Sequence, residues 1–224
     1  MENLRPNTQR AKNAIILIWV VLALEMVNLV SSYLQYDLLQ TVANGGYVSD
    51  AMANANDMRE RIIGIISAIA YAVSIITFIM WFRRAYYNLH QKVDYLAHSD
   101  GWAAGGWFVP IACLYIPYQI MKEIYVETKA LFERKGLSET VSYTTKYVGW
   151  WWAFWIITSI IANFIVRYTL KDANTVDDYI TLTVAQMISS ILEIPSALLT
   201  VKVIKDYSKV EPLLNEINDE EDSE

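Results

Sequence analysis

Apolar residues gather into four runs separated by polar connections: Asn13–Leu34, Ile62–Phe82, Val148–Val166 and Tyr179–Val201. Each is about 20 residues, the length at which a helix rising about 1.5 Å per residue crosses a hydrocarbon core. Glu25 and Glu193 are the only charges inside them. The pattern predicts an all-α membrane protein, a polytopic bundle with four spanning helices. A fifth uncharged stretch, Trp102–Met121, holds Gly105, Gly106, Pro110 and Pro117. Proline removes a helical hydrogen bond and its ring clashes with the preceding turn, so this stretch reads as a broken element. The expected form is re-entrant or in-plane; a kinked fifth span is the alternative.

Basic residues separate the two topologies, because Lys and Arg accumulate on the cytoplasmic side of a membrane protein. If Trp102–Met121 turns back, 14 bases fall inside: Arg5, Arg10, Lys12, Arg83, Arg84, Lys92, Lys122, Lys129, Arg134, Lys135, Lys146, Lys202, Lys205 and Lys209. Arg59, Arg61, Arg167 and Lys171 are then the 4 outside, which accounts for all 18. If it spans, the count becomes 8 inside against 10 outside. The first arrangement places both termini in the cytoplasm. Residues 1–12 form a cytoplasmic N-terminus, 13–205 the membrane bundle and 206–224 an acidic, disordered cytoplasmic tail. The basic N-terminal flank resembles a signal peptide, but Glu25 and Asn28 interrupt a run extending to Leu34, so it reads as a retained first span. Ser49 and Asp50 are placed to cap a helix entering the second span, which continues past the membrane towards Lys92. Tyr118–Lys135 reads as a helix ending at Gly136.

Composition narrows the function classes. A net charge of −6 gives no electrostatic support for nucleic-acid binding. The single Cys113 allows no intramolecular disulfide, and with two histidines no zinc cluster is expected. No metal or other cofactor is implied. Phosphate-loop, nucleophile-elbow and His-Glu-x-x-His motifs are missing, and the pairs His90/Asp94 and His98/Asp100 read as solvated side chains, so an enzyme is not the leading expectation.

Polar residues within the runs repeat at helical spacing. Thr183, Gln186, Ser190 and Glu193 share one face of the last span, and Glu25, Asn28 and Ser32 share one face of the first. Such faces normally pack helices together. A mid-membrane carboxyl must be protonated or hydrogen-bonded, here by Asn28, Gln186 or a nearby Ser or Tyr. All eight tryptophans fall in the predicted inner half, either as an interfacial belt or as the walls of an aromatic cavity open to the cytoplasm.

The stretches Trp81-Phe82-Arg83-Arg84-Ala85-Tyr86-Tyr87-Asn88-Leu89, Gly101-Trp102 through Pro110-Ile111, Pro117-Tyr118-Gln119 through Tyr125, and Gly149-Trp150-Trp151-Trp152 stand at characteristic separations. Together they resemble the bacterial integral-membrane family catalogued as domain of unknown function 4328, over roughly residues 60–205. The resemblance implies a multi-span protein and imports no activity. By its motif it nominates Arg84, Tyr86, Asn88, Trp102, Trp107, Tyr118, Gln119 and Glu123, with Gly105, Gly106, Pro110 and Pro117 structural. Cys113 and Ile116 depart from the Asn and the Arg or Lys usual in the family.

Two functions are expected from these residues. The first is a non-enzymatic membrane protein that binds lipid or a partner membrane protein through a cytoplasmic aromatic-basic face. There Arg84 or Arg83 pairs with Glu123 as a clamp, or Arg84 meets a lipid phosphate. The alternative is a small proton- or cation-conducting subunit using Glu25 and Glu193. Four spans are few for a pore, so that alternative implies a homo-oligomer.

Overall fold

The structure, a computed structural model, describes residues 4–137, 139, 142–170 and 175–217. Lys171, counted above among the outer bases, and the acids from Asp219 onward lie outside the described residues. Among the described residues six α-helices follow in order: α1 (Thr8–Ala43), α2 (Asp50–His90), α3 (Trp102–Gly105), α4 (Ile116–Arg134), α5 (Lys146–Thr169) and α6 (Val176–Val210). Short 3₁₀ turns occupy Ala112–Leu114 and Glu211–Glu216. Among the described residues, α1, α2, α5 and the helix beginning at Val176 are long and apolar enough to cross a membrane. The chain is a helical bundle of four such helices with a broken middle element.

Local chemistry sets the ends. α1 stops where Gly45 takes φ +79°, and Gly46 sends its N–H to the Thr41 carbonyl at 2.8 Å. Ser49 caps α2, its Oγ accepting the Met52 N–H at 3.3 Å. α4 carries Pro117 at its second position, where no helical partner is lost, and the chain leaves it at Gly136 with φ +71°. Thr175 and Asp178 cap each other's backbone at the start of α6.

The chain divides into two compact units. The first draws on Met1–Leu17, Ser74–Trp152 and Leu199–Glu224. Its core is Trp81, Phe82, Tyr86, Ile120, Ile124, Tyr125, Ile204, Tyr207 and Leu214, all fully buried. α4 presents its apolar stripe to this core, with Ile120, Met121, Ile124, Tyr125 and Thr128 sealed and Lys122 and Lys129 on the open side. α6 runs past residue 205, where the sequence reading ended the bundle. Tyr207, Val210, Leu214 and Ile217 are buried, so the described part of the tail, through Ile217, packs as core.

The second unit comprises Ile18–Val73 and Ala153–Leu198. Here large apolar side chains face outward: Val30, Ile69 and Ile160 are 62%, 61% and 64% exposed. Polar side chains meet inside it instead. An apolar outside around a hydrogen-bonded inside is the arrangement a bilayer favours and water does not.

Candidate functional site

In the first unit the chain before α1 lies along the end of α2. The Arg5 N–H donates to Asn88 Oδ1 at 3.0 Å, and Asn88 Nδ2 returns a bond to the Arg5 carbonyl at 2.9 Å. One amide thus grips both backbone groups of one residue. Asn7 Nδ2 donates to the Trp81 carbonyl at 3.2 Å, and Arg10 reaches the Met80 carbonyl at 2.9 Å.

These contacts set three arginines in a row. Arg84 stands four residues from both Met80 and Asn88, between the anchoring points of Arg10 and Arg5. The Arg5 guanidinium lies 4.2 Å over the Tyr87 ring. Burial, then Arg10, then Arg5 lower the Arg84 pKa, while Tyr87 and Glu211 oppose them. Among the described residues no side chain hydrogen-bonds or ion-pairs with Arg84.

Beside the row lies Glu211, 5% exposed and beyond the apolar run of α6. Asn88 Nδ2 donates to its Oε1 at 2.7 Å, and Asn7 Nδ2 lies 3.0 Å from both carboxylate oxygens. Burial pushes this carboxyl up to about 7, against the lowering effects of Asn88, Asn7 and Arg84. A cavity of about 180 Å³ opens at this junction, bounded by Pro6, Asn7, Asn88, Glu211, Pro212 and Asn215. Asn7 Oδ1 is buried and has no hydrogen-bond partner among the described residues.

The motif residues separate into three groups rather than one site. Asn88 and Arg84 belong to the junction just described. Tyr86, Gln119 and Glu123 belong to a knot that closes the segment after α2. The Tyr86 hydroxyl donates to Glu123 Oε2 at 2.6 Å, and Ala97 N–H donates to Oε1 at 3.0 Å. The His98 ring meets Gln119 Oε1 at 3.0 Å, and the His90 ring meets the His98 carbonyl at 2.8 Å. Both histidines are therefore ties within the fold. The Arg–Glu clamp expected from sequence is replaced: Glu123 takes neutral donors, and Arg83 pairs with Asp100 at 3.8 Å. A tyrosine hydroxyl and a backbone amide satisfy a half-buried carboxylate without drawing a solvated guanidinium inward.

Trp107 and Tyr118 belong to the third group. The Trp107 ring centre is 5.7 Å from Phe78, 6.1 Å from Phe82, 6.4 Å from Trp151 and 6.1 Å from Trp152, mostly edge-to-face. Tyr118 stacks on Trp152 at 6.1 Å. These rings pack against one another. Trp102 is half-exposed, away from these ring contacts. Gly106 is buried against Trp102 and Ile116, and Gly105 has open space around it. Pro110 leads into Ile111, a β-branched residue at φ +68°, and Pro117 opens α4.

In the second unit Ser190 donates to Glu25 Oε2 at 2.7 Å, while Asn28 Nδ2 lies 3.4 Å from Glu25 Oε1 and 3.1 Å from Ser67 Oγ. Glu193 is close enough to feel the Glu25 charge. Gln186 is exposed and makes no bond to either carboxyl among the described residues, so Ser190 fills the place the sequence offered it. One cluster escaped the sequence reading: Arg59 holds Ser31 at 2.8 Å and Asn56 at 2.6 Å, and Gln35 links Asn56 to Thr183. Glu211 and Asn7 escaped it too. Ser31, Gln35 and Asn56 could have been found from their 3- and 4-residue steps; nothing local marked Glu211.

Residues 44–209 match the sequence model of a family described as Domain of unknown function (DUF4328). The chain belongs to the DUF4328 family. The match covers Arg84, Asn88, the Glu123 knot, the aromatic group and Glu193, but Arg5, Asn7, Arg10, Glu25 and Glu211 lie outside it. The DUF4328 description carries no activity. No curated protein and no solved structure matches the chain.

Proposed function

We propose that the chain is a multi-pass protein of the bacterial inner membrane, with both termini cytoplasmic, that works without catalysing a reaction and holds an anionic lipid headgroup. The observation that carries this reading is the row Arg5, Arg10 and Arg84 along the end of α2, just past the apolar run that ends at Phe82. Guanidinium groups bind phosphate through paired charge-assisted hydrogen bonds, and basic clusters at the cytoplasmic end of a span favour anionic lipid. Arg84 is held near two like charges with no side-chain partner of its own among the described residues, a placement that a phosphate would relieve. The excess of basic residues on one side supports the orientation.

The test is the lipid that copurifies with the full chain in mild detergent, quantified by mass spectrometry. Enrichment of phosphatidylglycerol over the host membrane, lost in Arg84→Ala and reduced in Arg10→Ala, is the expected result. Equal lipid composition in wild type and Arg84→Ala contradicts the reading.

A second reading, conduction of protons or cations by a self-associated form, is favoured by the bonded set Glu25, Ser190, Asn28 and Ser67 with Glu193 nearby. Flux into liposomes that is abolished by Glu193→Gln would support it over headgroup binding. Flux unchanged by that substitution removes it.

A further inference from the structure

We propose that Phe108–Tyr115 is a lipid-facing wedge, which seats its apolar side chains at the boundary between headgroups and acyl chains of one leaflet. The residue before it fixes the depth. Trp107 packs on Phe78 and Phe82, in the last turns of the apolar run of α2, and on Trp151 and Trp152, at the start of the run in α5. The loop therefore begins level with the ends of the apolar runs in two helices long and apolar enough to cross a membrane.

Its large side chains are exposed, with Ala112 alone among the loop residues buried. Phe108 is 74% exposed and Ile111 75%, with Leu114 and Tyr115 half-exposed between the breaks. No charge occurs from Gly101 to Met121, so nothing in the loop asks for water. The left-handed backbone at Ile111 is a strained choice for a β-branched residue, retained where it leaves this side chain outside.

Irregular backbone is normally barred from hydrocarbon because its amides go unbonded. Here most are bonded. Phe108 N–H donates to Gly105, Ala112 to Pro110, Cys113 to Val109, Leu114 to Ile111 and Tyr115 to Ala112. With most of its donors satisfied locally, the loop is suited to the interfacial boundary. Half-exposed Trp102 before it and Lys122 after it supply the aromatic and cationic flanks typical of that zone. Continuity with the ends of the spanning runs favours lipid as the occupant over a second copy or another protein. The inference rests on membrane insertion and not on the arginine row.

The test places a nitroxide label on Phe108→Cys and Ile111→Cys in a Cys113→Ser background, with the full chain in lipid nanodiscs. Collision rates with oxygen and with a water-soluble nickel chelate are then compared. Ile69→Cys serves as the lipid reference and Glu133→Cys as the aqueous one. The expected oxygen-to-nickel ratio at both loop positions is several-fold above that at Glu133→Cys. A ratio no higher than that reference overturns the proposal. Low rates for both reagents also overturn it, because protein then covers the loop. If either variant fails to elute as a monodisperse species, Leu114→Cys replaces it under the same criteria. Nanodiscs of neutral lipid separate this from headgroup binding: the ratio persists there even where anionic lipid is missing.

Discussion

A Cβ built on Gly106 would stand 2.8 Å from the Trp102 carbonyl and 2.9 Å from Ile116 Cγ2, whereas one on Gly105 meets nothing within 4 Å. Gly106→Ala is therefore expected to destabilise the protein by about 1–3 kcal/mol through overpacking, and Gly105→Ala to stay within about 0.5 kcal/mol of wild type. Thermal unfolding in nanodiscs checks both; equal losses would mean that the pair works by flexibility rather than by close approach. Glu211 makes the other residue-scale prediction. Its folded pKa is raised to about 7 from 4.5, so the folded state binds the proton more tightly than the unfolded one. The associated stability is fully present below pH 4.5 and is lost as pH rises through about 7. A shift of this size corresponds to something on the order of 3 kcal/mol. Wild type should lose apparent melting temperature between pH 5 and 8 relative to Glu211→Gln; parallel pH profiles would contradict the assignment. The Glu211 site was not legible locally. Glu211 stands in an acidic tail that reads as solvated, and its partner Asn7 lies 204 residues away.

At the scale of elements, sequence spoke most clearly where backbone chemistry is local. Ser49 at the head of α2, Gly136 after α4 and the Gly and Pro breaks within Trp102–Met121 all act through their own φ angles and hydrogen-bonding groups. It spoke least clearly about which side chains meet between elements. Tyr86 and Asn88 stand in one motif yet serve different groups, because residues two apart on α2 face different sides, and Trp107, beyond α2, serves the third. Asn88 ties three elements at once: the Arg5 backbone, α2 and the turn at Glu211. Asn88→Ala leaves the Arg5 N–H without its acceptor and the Arg5 carbonyl without its donor, and takes from Glu211 one of its two amide donors, each loss costing about 1–3 kcal/mol. Trypsin should then cut faster after Arg10, in the first turn of α1, where the segment gripped by Asn88 enters the helix. Unchanged cleavage there would show that the amide is not what holds this segment.

For the molecule as a whole, the long apolar runs fit a bilayer, while the first unit adds a buried core of its own. The apolar runs are as long as a hydrocarbon core is thick, and the outward-facing apolar residues of the second unit suit lipid rather than water. That much was readable from run length alone; the side on which each connection lies rests on the basic residues. The decisive measurement is labelling of single cysteines, in a Cys113→Ser background, by a membrane-impermeant maleimide in intact cells. Tyr47, 88% exposed between α1 and α2, and Glu133, exposed on α4, are the positions to compare. Four spans with a middle element that turns back predict that Tyr47→Cys labels in intact cells and Glu133→Cys only after permeabilisation. Labelling of Glu133→Cys in intact cells, or recovery of the chain in the soluble fraction without detergent, would contradict it.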